Sequence, residues 1–275
     1  MTEVAARIRA HLDSLSPNDL LIAHGVLDHP AEAPFETAES LAARVGVSKA
    51  AVVRFAVRVG YDGFGQLHEA LRAEAVARLS APQENHSAGD VIDAVAGRAR
   101  ADLAAMRVGL DRDQFAAAVA LLSKGSGKIG IFGHRKSAAL AEYAYYLLNP
   151  LLPNTWPIAA GEPGIADHLI DLEPRDRLIA FTFRRYAKIT SEVLRSFSAA
   201  GAQSVLITDD VLAPAASLAT HVLACAPAAP GEFDTAAPGI VLVEALAAAI
   251  AARVRGRSDQ RRDLAERLWK QFGTY

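Results

Sequence analysis

The amino-acid sequence predicts two domains: an all-α N-terminal domain carrying a helix-turn-helix, and an α/β C-terminal domain of three α/β/α layers around a five-stranded parallel sheet. Three observations lead there. Residues 1 to about 79 read as consecutive short helices, broken at Ser16-Pro17, His29-Pro30 and Gly46. Ser80 to Asp90 (SAPQENHSAGD) is a polar stretch with Pro82 and Gly89, the natural linker. From Lys128 onward short apolar runs alternate with helical stretches, as strands covered on both faces of a parallel sheet do. The expected divisions are 1–80 for the helical domain, 81–108 for the linker and a connecting helix, 109–255 for the α/β domain and 256–275 for a tail helix.

With 275 residues, 51% of them hydrophobic, the chain can bury the cores of two domains. The lone cysteine, Cys225, excludes a disulfide framework and a thiolate metal cluster, and no metal or other cofactor is expected. Met1 to Arg9 carries Arg7 and Arg9 with no apolar run behind them, so no signal peptide is expected. The longest apolar stretch, Ile240 to Ala252, is interrupted by Glu244 and is shorter than the roughly 20 residues of a membrane span, so a buried helix is expected there. These readings suit a cytoplasmic protein without a membrane partner. The net charge of −2 does not announce a nucleic-acid binder, but its distribution does. Arg44, Lys49, Arg54 and Arg58 fall in a segment with no acidic residue, a local basic face.

In the helical domain, Ala38, Leu41, Ala42 and Val45 share one face of a helix, and Gly46 permits a tight turn. Ser48 is a good N-cap, with Val47 and Val52 placed as a hydrophobic staple, so a second helix starts at Lys49. Its inner face is Val52, Phe55 or Ala56, and Val59, leaving Lys49, Ala50, Val53, Arg54, Val57 and Arg58 outside. Two such helices suit insertion into a major groove, with Ser48, Lys49, Ala50, Val53, Arg54 and Arg58 as candidate DNA contacts. The same pattern also describes a helical hairpin with a solvated basic face.

The stretch TAESLAARVGVSKAAVVRFAVRVGYDGFGQLHEAL, Thr37 to Leu71, closely resembles the N-terminal domain of the RpiR family of bacterial regulators. The resemblance implies a double-stranded DNA operator as partner. One departure is Ala51, where the family usually has Thr, so a potential hydroxyl contact to phosphate or base is absent. Helix-turn-helix proteins usually read two half-sites related by a two-fold axis, so a homodimer or homotetramer on a palindromic operator is expected.

Beyond the linker, helices are expected from about Asp90 to Leu110 and from Asp111 to Leu122, then strands at 129–133, 156–160, 177–183, 204–209 and 221–226. Gly239 to Arg253 reads as a closing helix. Arg257 to Tyr275 reads as an amphipathic tail with Leu264, Leu268, Trp269 and Phe272, able to pack on a partner subunit. IFGHRKSAALAEYAYYLL, Ile131 to Leu148, is a strand ending at Gly133 with Ser137 near a helix start, a place for anions because free N–H groups and the helix dipole point there. Residues 110–250 as a whole resemble a SIS domain, the sugar-isomerase-like module that follows this helix-turn-helix in the RpiR family. The resemblance implies a sugar phosphate held in loops at the C-terminal ends of the strands.

Two departures stand at that site. The family's GxGxS reads Gly133-His134-Arg135-Lys136-Ser137, and its SxSGxT reads Thr182-Phe183-Arg184-Arg185-Tyr186. Bulk and charge replace glycine where backbone would wrap a phosphate. Either the site binds a different anion through side chains, or these arginines hold ion pairs and interfaces. The first reading gives a small anionic carbohydrate-derived effector held by Gly133, Lys136, Ser137, Thr182, Arg184 and Arg185. An isomerase would need a general base, and His134, His168, His221 and Glu244 form no recognisable constellation, so no catalytic residue is assigned. A SIS domain kept only for dimerisation is the remaining alternative.

Overall fold

A computed structural model describes residues 3–27, 29, 32–79, 88–125, 127–158, 164–184, 186–225, 235–256 and 258–273. Pro30, most of the expected linker (80–87), the ends of the second and fifth expected strands (Ala159, Ala160, Ala226), Arg185, Arg257 and Tyr275 lie outside them. The chain divides into two compact units, Met1–Val95 and Ala96–Tyr275.

The first unit is helical: α1 (Glu3–Ala10), α2 (Pro17–Leu27), α3 (Ala38–Val45), α4 (Lys49–Arg58) and α5 (Phe64–Leu79). Pro17 opens α2, where its missing N–H is no loss. The hydroxyl of Thr37 accepts the Ser40 N–H at 3.1 Å while Ser40 Oγ accepts the Thr37 N–H at 2.8 Å, a capping box that fixes the start of α3. Gly46 ends α3 at φ 75°, a left-handed conformation that favours glycine, and returns its N–H to the Ala42 carbonyl. Ser48 then caps α4 through the Ala51 N–H at 3.2 Å. The expected turn is therefore present in full. Leu41 and Ala42 of α3 and Val52, Phe55 and Ala56 of α4 are buried, as are Ile8, Ile22 and Leu67 of α1, α2 and α5.

α6 (Ala88–Gly109) runs from the first unit's residues into the second's. The second unit continues with α7 (Arg112–Leu122), β1 (Ile129–Gly133), α8 (Lys136–Leu148), β2 (Thr155–Pro157), α9 (Gly164–Asp167), β3 (Arg177–Thr182), α10 (Lys188–Ala199), β4 (Gln203–Thr208), β5 (His221–Ala224), α11 (Ala237–Val254) and α12 (Asp259–Gln271). All pairings are parallel, in the order β2-β1-β3-β4-β5. This is the three-layer sheet that the sequence predicts, with each strand shifted by at most a few residues at its ends.

Successive strand residues point to opposite faces, and both faces are filled. Ile129, Ile131, Ile179, Phe181, Val205 and Ile207 pack with Leu140, Ala144, Leu242 and Leu246 of α8 and α11, and with α7. Phe132, Leu178, Ala180 and Leu206 pack on the other face with Val193, Leu194 and Phe197 of α10. α11 is long and apolar enough to cross a membrane, with mean hydropathy 1.8, yet its Leu242, Val243, Leu246, Ile250 and Val254 are buried in this core.

At the N-terminal ends of the strands the buried Arg177 donates to the carbonyls of Leu121 and Leu122, which end α7, and to those of Lys124 and Gly127 beyond it. Asp176 accepts the Lys128 and Glu173 N–H groups at 2.7 and 2.9 Å. These bonds tie β1 and β3 in register. Their helices leave on opposite faces, so the C-terminal ends of β1 and β3 form the switch point where open sheets bind ligands.

Candidate functional site

On α4, Lys49, Ala50 and Arg54 are exposed, and Val53 and Val57 present 39% and 55% of their surface. Ala51 is buried, so a side chain at that position faces the core. The basic face is also smaller than the charge pattern implies. Arg44 donates to both oxygens of Glu36 at 2.7 and 2.5 Å and to the Gly25 carbonyl at 2.8 Å. That bond holds the Glu36 carboxyl below its ordinary range and lifts Arg44 further. Arg58, expected to face DNA, is paired with the buried carboxylate of Asp19 and ties α4 to α2. Lys49 lies 3.6 Å from Glu39, both well exposed, a contact worth little in water. Arg54 has no hydrogen bond or ion pair among the described residues.

In the second unit a cavity opens at the C-terminal ends of the strands, with about 510 Å³ of empty space when the adjoining open solvent is counted. Polar groups from five places converge on it: Asp102 of α6, Lys136 and Ser137 at the start of α8, Asp209 after β4, Cys225 after β5 and Thr235 before α11. Leu140 and Phe183 supply apolar wall. A wider groove of about 940 Å³ beside Lys128 and Asp176 lies at the opposite ends of the strands, away from the switch point.

Of the six expected effector contacts, Lys136 and Ser137 line this cavity. Ser137 is 6% exposed, and its hydroxyl makes no hydrogen bond among the described residues. Gly133 has another duty: a Cβ there would lie 2.3 Å from the Ser137 carbonyl, so the glycine lets the first turn of α8 sit against the strand. Thr182 ends β3, 2% exposed and opposite Thr208, without lining the cavity. Arg184 lies 3.9 Å from Asp209, an ion pair within the domain. Burial pushes the Asp209 carboxyl up, while Arg184 and a hydrogen bond with Tyr186 pull it back.

Arg135 stands where the family pattern has its second glycine, and its backbone adopts φ 54° and ψ −125°, a conformation essentially reserved for glycine. The Ser137 and Ala138 N–H groups are bonded to the His134 and Arg135 carbonyls at 3.1 and 3.0 Å, so the first turn of α8 uses two of its own donors. Asp102, Asp209, Cys225 and Thr235 were not among the expected contacts. The Asp ending SVLITD was legible as a carboxylate at a central strand's C-terminal end, whereas Asp102 sits in a helix with nothing to mark it.

Of the four groups weighed as bases, Glu244 and His221 have partners. Glu244 is exposed and accepts the Tyr143 hydroxyl at 2.7 Å, rather than being a buried or capping carboxylate. His221 lies 3.1 Å from Gln114 Oε1, and burial lowers its pKa. Burial pushes the Cys225 thiol up to about 12, and its S–H donates to the Thr208 carbonyl at 3.3 Å. This thiol is no nucleophile.

A capped helix-turn-helix followed by an open parallel α/β domain with a cavity at its strand ends defines the class of two-domain, ligand-controlled DNA-binding regulators. Residues 2–78 match the helix-turn-helix domain of the rpiR family, and residues 121–251 match the SIS domain. The chain belongs to the RpiR family, as its sequence resemblance implies. No curated protein matches the chain. Among solved structures it is similar to the sugar isomerase domain of the RpiR transcription factor from Sphaerobacter thermophilus, with 26% identity and TM-score 0.57 over 62% of this chain and 94% of that one. It is similar along nearly its whole length to the Vibrio vulnificus NanR protein complexed with ManNAc-6P, with 19% identity and TM-score 0.62 over 98% and 99% of the two chains. Phosphoheptose isomerase GmhA from Neisseria gonorrhoeae shares the C-terminal fold, with 14% identity and TM-score 0.51 over 60% of this chain and all of that one.

Proposed function

We propose that this protein is a transcriptional regulator of carbohydrate metabolism whose SIS domain binds a small anionic sugar-derived effector and so sets operator occupancy. The observation that carries the effector reading is the cavity at the strand ends, where the Ser137 hydroxyl has no hydrogen bond among the described residues and Lys136 stands beside it. The NanR structure, solved with a sugar phosphate, supports a ligand of this kind. Arg54 is assigned to DNA, with Ser48, Lys49, Ala50 and Val53 around it; Arg58 is assigned to holding α4. In the effector site Lys136 and Ser137 contact ligand, Gly133 and Thr182 shape the strand ends, and Arg184 positions Asp209. Arg185, outside the described residues, stays in the effector set on its sequence position alone.

The mechanism is an equilibrium between a homodimer or homotetramer whose reading heads match a palindromic operator and one whose heads are wrongly spaced. The effector shifts it by its differential affinity for the two states. No catalytic role is assigned, because the lining groups form no recognisable general-base constellation among the described residues, and a cytoplasmic site of action follows from the DNA partner. The test is fluorescence anisotropy of the full chain on DNA taken from upstream of its own and neighbouring genes, titrated with sugar acids and sugar phosphates. Specific binding released or enhanced by one of them supports the reading. DNA binding indifferent to all of them leaves the SIS domain a dimerisation scaffold, and turnover of any of them makes it an enzyme.

A further inference from the structure

We infer that, granted the effector reading, the effector acts on the helix-turn-helix through α6, with Asp102 coupling the cavity to the helix and the stretch around Gly97 carrying the signal onward. α6 is one helix from Ala88 to Gly109, and the division between the two compact units falls inside it, between Val95 and Ala96. The covalent path from the cavity to the helix-turn-helix therefore runs along this helix. Its C-terminal half is held: Met106 and Leu110 are buried in the core of the second unit, and Leu103 packs against it. Asp102, 2% exposed, is the last buried residue toward the N-terminus, and from 90 to 101 every residue is exposed or half-buried. The same Asp102 lines the cavity. α6 thus meets the cavity where its held half gives way to its unburied half.

Asp102 already interacts within the protein, so an effector hydroxyl donating to its carboxylate exchanges or adds a partner rather than filling an empty place. Sugar phosphates and sugar acids both carry the hydroxyls that this needs. Such a change acts on the helix at its fulcrum. From Asp102 to Asp90 the helix runs about 18 Å, so a small tilt at Asp102 is magnified at the far end. Gly97 lies within that span. A glycine inside a helix loosens it relative to alanine, and packing does not demand one here: among the described residues nothing beyond its own turn lies within 4 Å of where its Cβ would stand. The stiffness of this stretch, and not a steric need, is what the residues at 94–97 set.

The test uses the full chain and the tightest binder, by calorimetry, from a panel of pentose, hexose and N-acetylhexosamine phosphates and C5 and C6 sugar acids. At saturation this compound is expected to change the affinity of wild type for DNA from upstream of its own gene by about tenfold or more in fluorescence anisotropy. In Asp102→Asn, at that variant's own saturating concentration, the ratio is expected to fall to about twofold or less. Ala94→Gly combined with Ala96→Gly, both at exposed positions, is expected to cut the ratio at least threefold while the compound's affinity for the DNA-free protein stays within about twofold. Gly97→Ala is expected to keep the ratio at or above the wild-type value. Amide exchange at 91–101 is expected to change when the compound is added to wild type and to stay unchanged in Asp102→Asn. The full wild-type ratio in either Asp102→Asn or the double glycine variant overturns this inference and leaves the effector reading standing. Binding by no compound, or binding that leaves the DNA affinity of wild type unchanged, overturns both.

Discussion

At the scale of single residues, four cations in one acid-free segment divide into different trades. Arg44 closes onto Glu36 and Gly25, Arg58 onto Asp19, Lys49 lies near Glu39, and Arg54 faces outward alone among the described residues. A charge pattern read along the chain sees the segment but not partners many positions away, so the pairing of Arg58 with Asp19 was not legible in it. Arg54→Ala is therefore expected to weaken operator binding by about 1 to 3 kcal/mol, with unfolding unchanged. Arg58→Ala is expected to lower the urea midpoint, because it strands a buried carboxylate. Anisotropy and urea titration of both variants separate the roles, and the reverse pattern would exchange them. Glu36 adds a pH dependence. Its folded pKa is depressed by Arg44, so its contribution is present above the ordinary glutamate range and lost as pH falls through the lower folded value. Glu36→Gln should narrow its stability deficit against wild type as pH drops from 6 toward about 3, as urea unfolding at each pH would show.

At the scale of elements, the five strands were legible because each is a short apolar run bounded by Gly, Pro or Asp, and the central three, β1, β3 and β4, are buried on both faces. The helix-turn-helix was legible because its caps are local: Ser48 and Gly46 act within a few residues of where they stand. The start of α8 was legible only in part. The loss of a family glycine at Arg135 could be read, but not that the backbone keeps the glycine conformation under an arginine, since that follows from how α8 is seated on β1. Arg135→Gly is accordingly expected to stabilise the domain by about 1 kcal/mol, and Arg135→Ala, which keeps the strain, to gain much less. Equal midpoints for the two variants in urea would mean that the positive φ is not a source of strain. At the other end of the domain, α12 is amphipathic as the sequence implies, and Leu264, Leu268 and Phe272 are 48%, 40% and 77% exposed.

At the scale of the whole molecule, the order of the two domains and the family were legible because both carry distinctive runs of sequence. The cavity was legible only where motifs mark it: Lys136 and Ser137 belong to a recognisable strand-helix junction, whereas Asp102 and Thr235 reach it from distant parts of the chain. Assembly follows from function rather than from any contact described above. A regulator reading two half-sites is expected to run as a dimer or tetramer in light scattering at micromolar concentration. Leu268→Asp on the exposed face of α12 is expected to shift it toward monomer without unfolding it. A monomeric wild type would remove the palindromic operator from the picture.

The solitary Arg54 reaches beyond the operator itself. Most of a regulator's hold on arbitrary chromosome comes from counterions released as its cations meet phosphates, about 0.9 logarithmic units of salt dependence for each phosphate neutralised. A recognition helix that spends Arg58 on its own scaffold adds little to that general adhesion. On the proposed assignment of these two arginines, fewer copies would be sequestered along the genome, and a small cellular supply would suffice to find and hold a rare target.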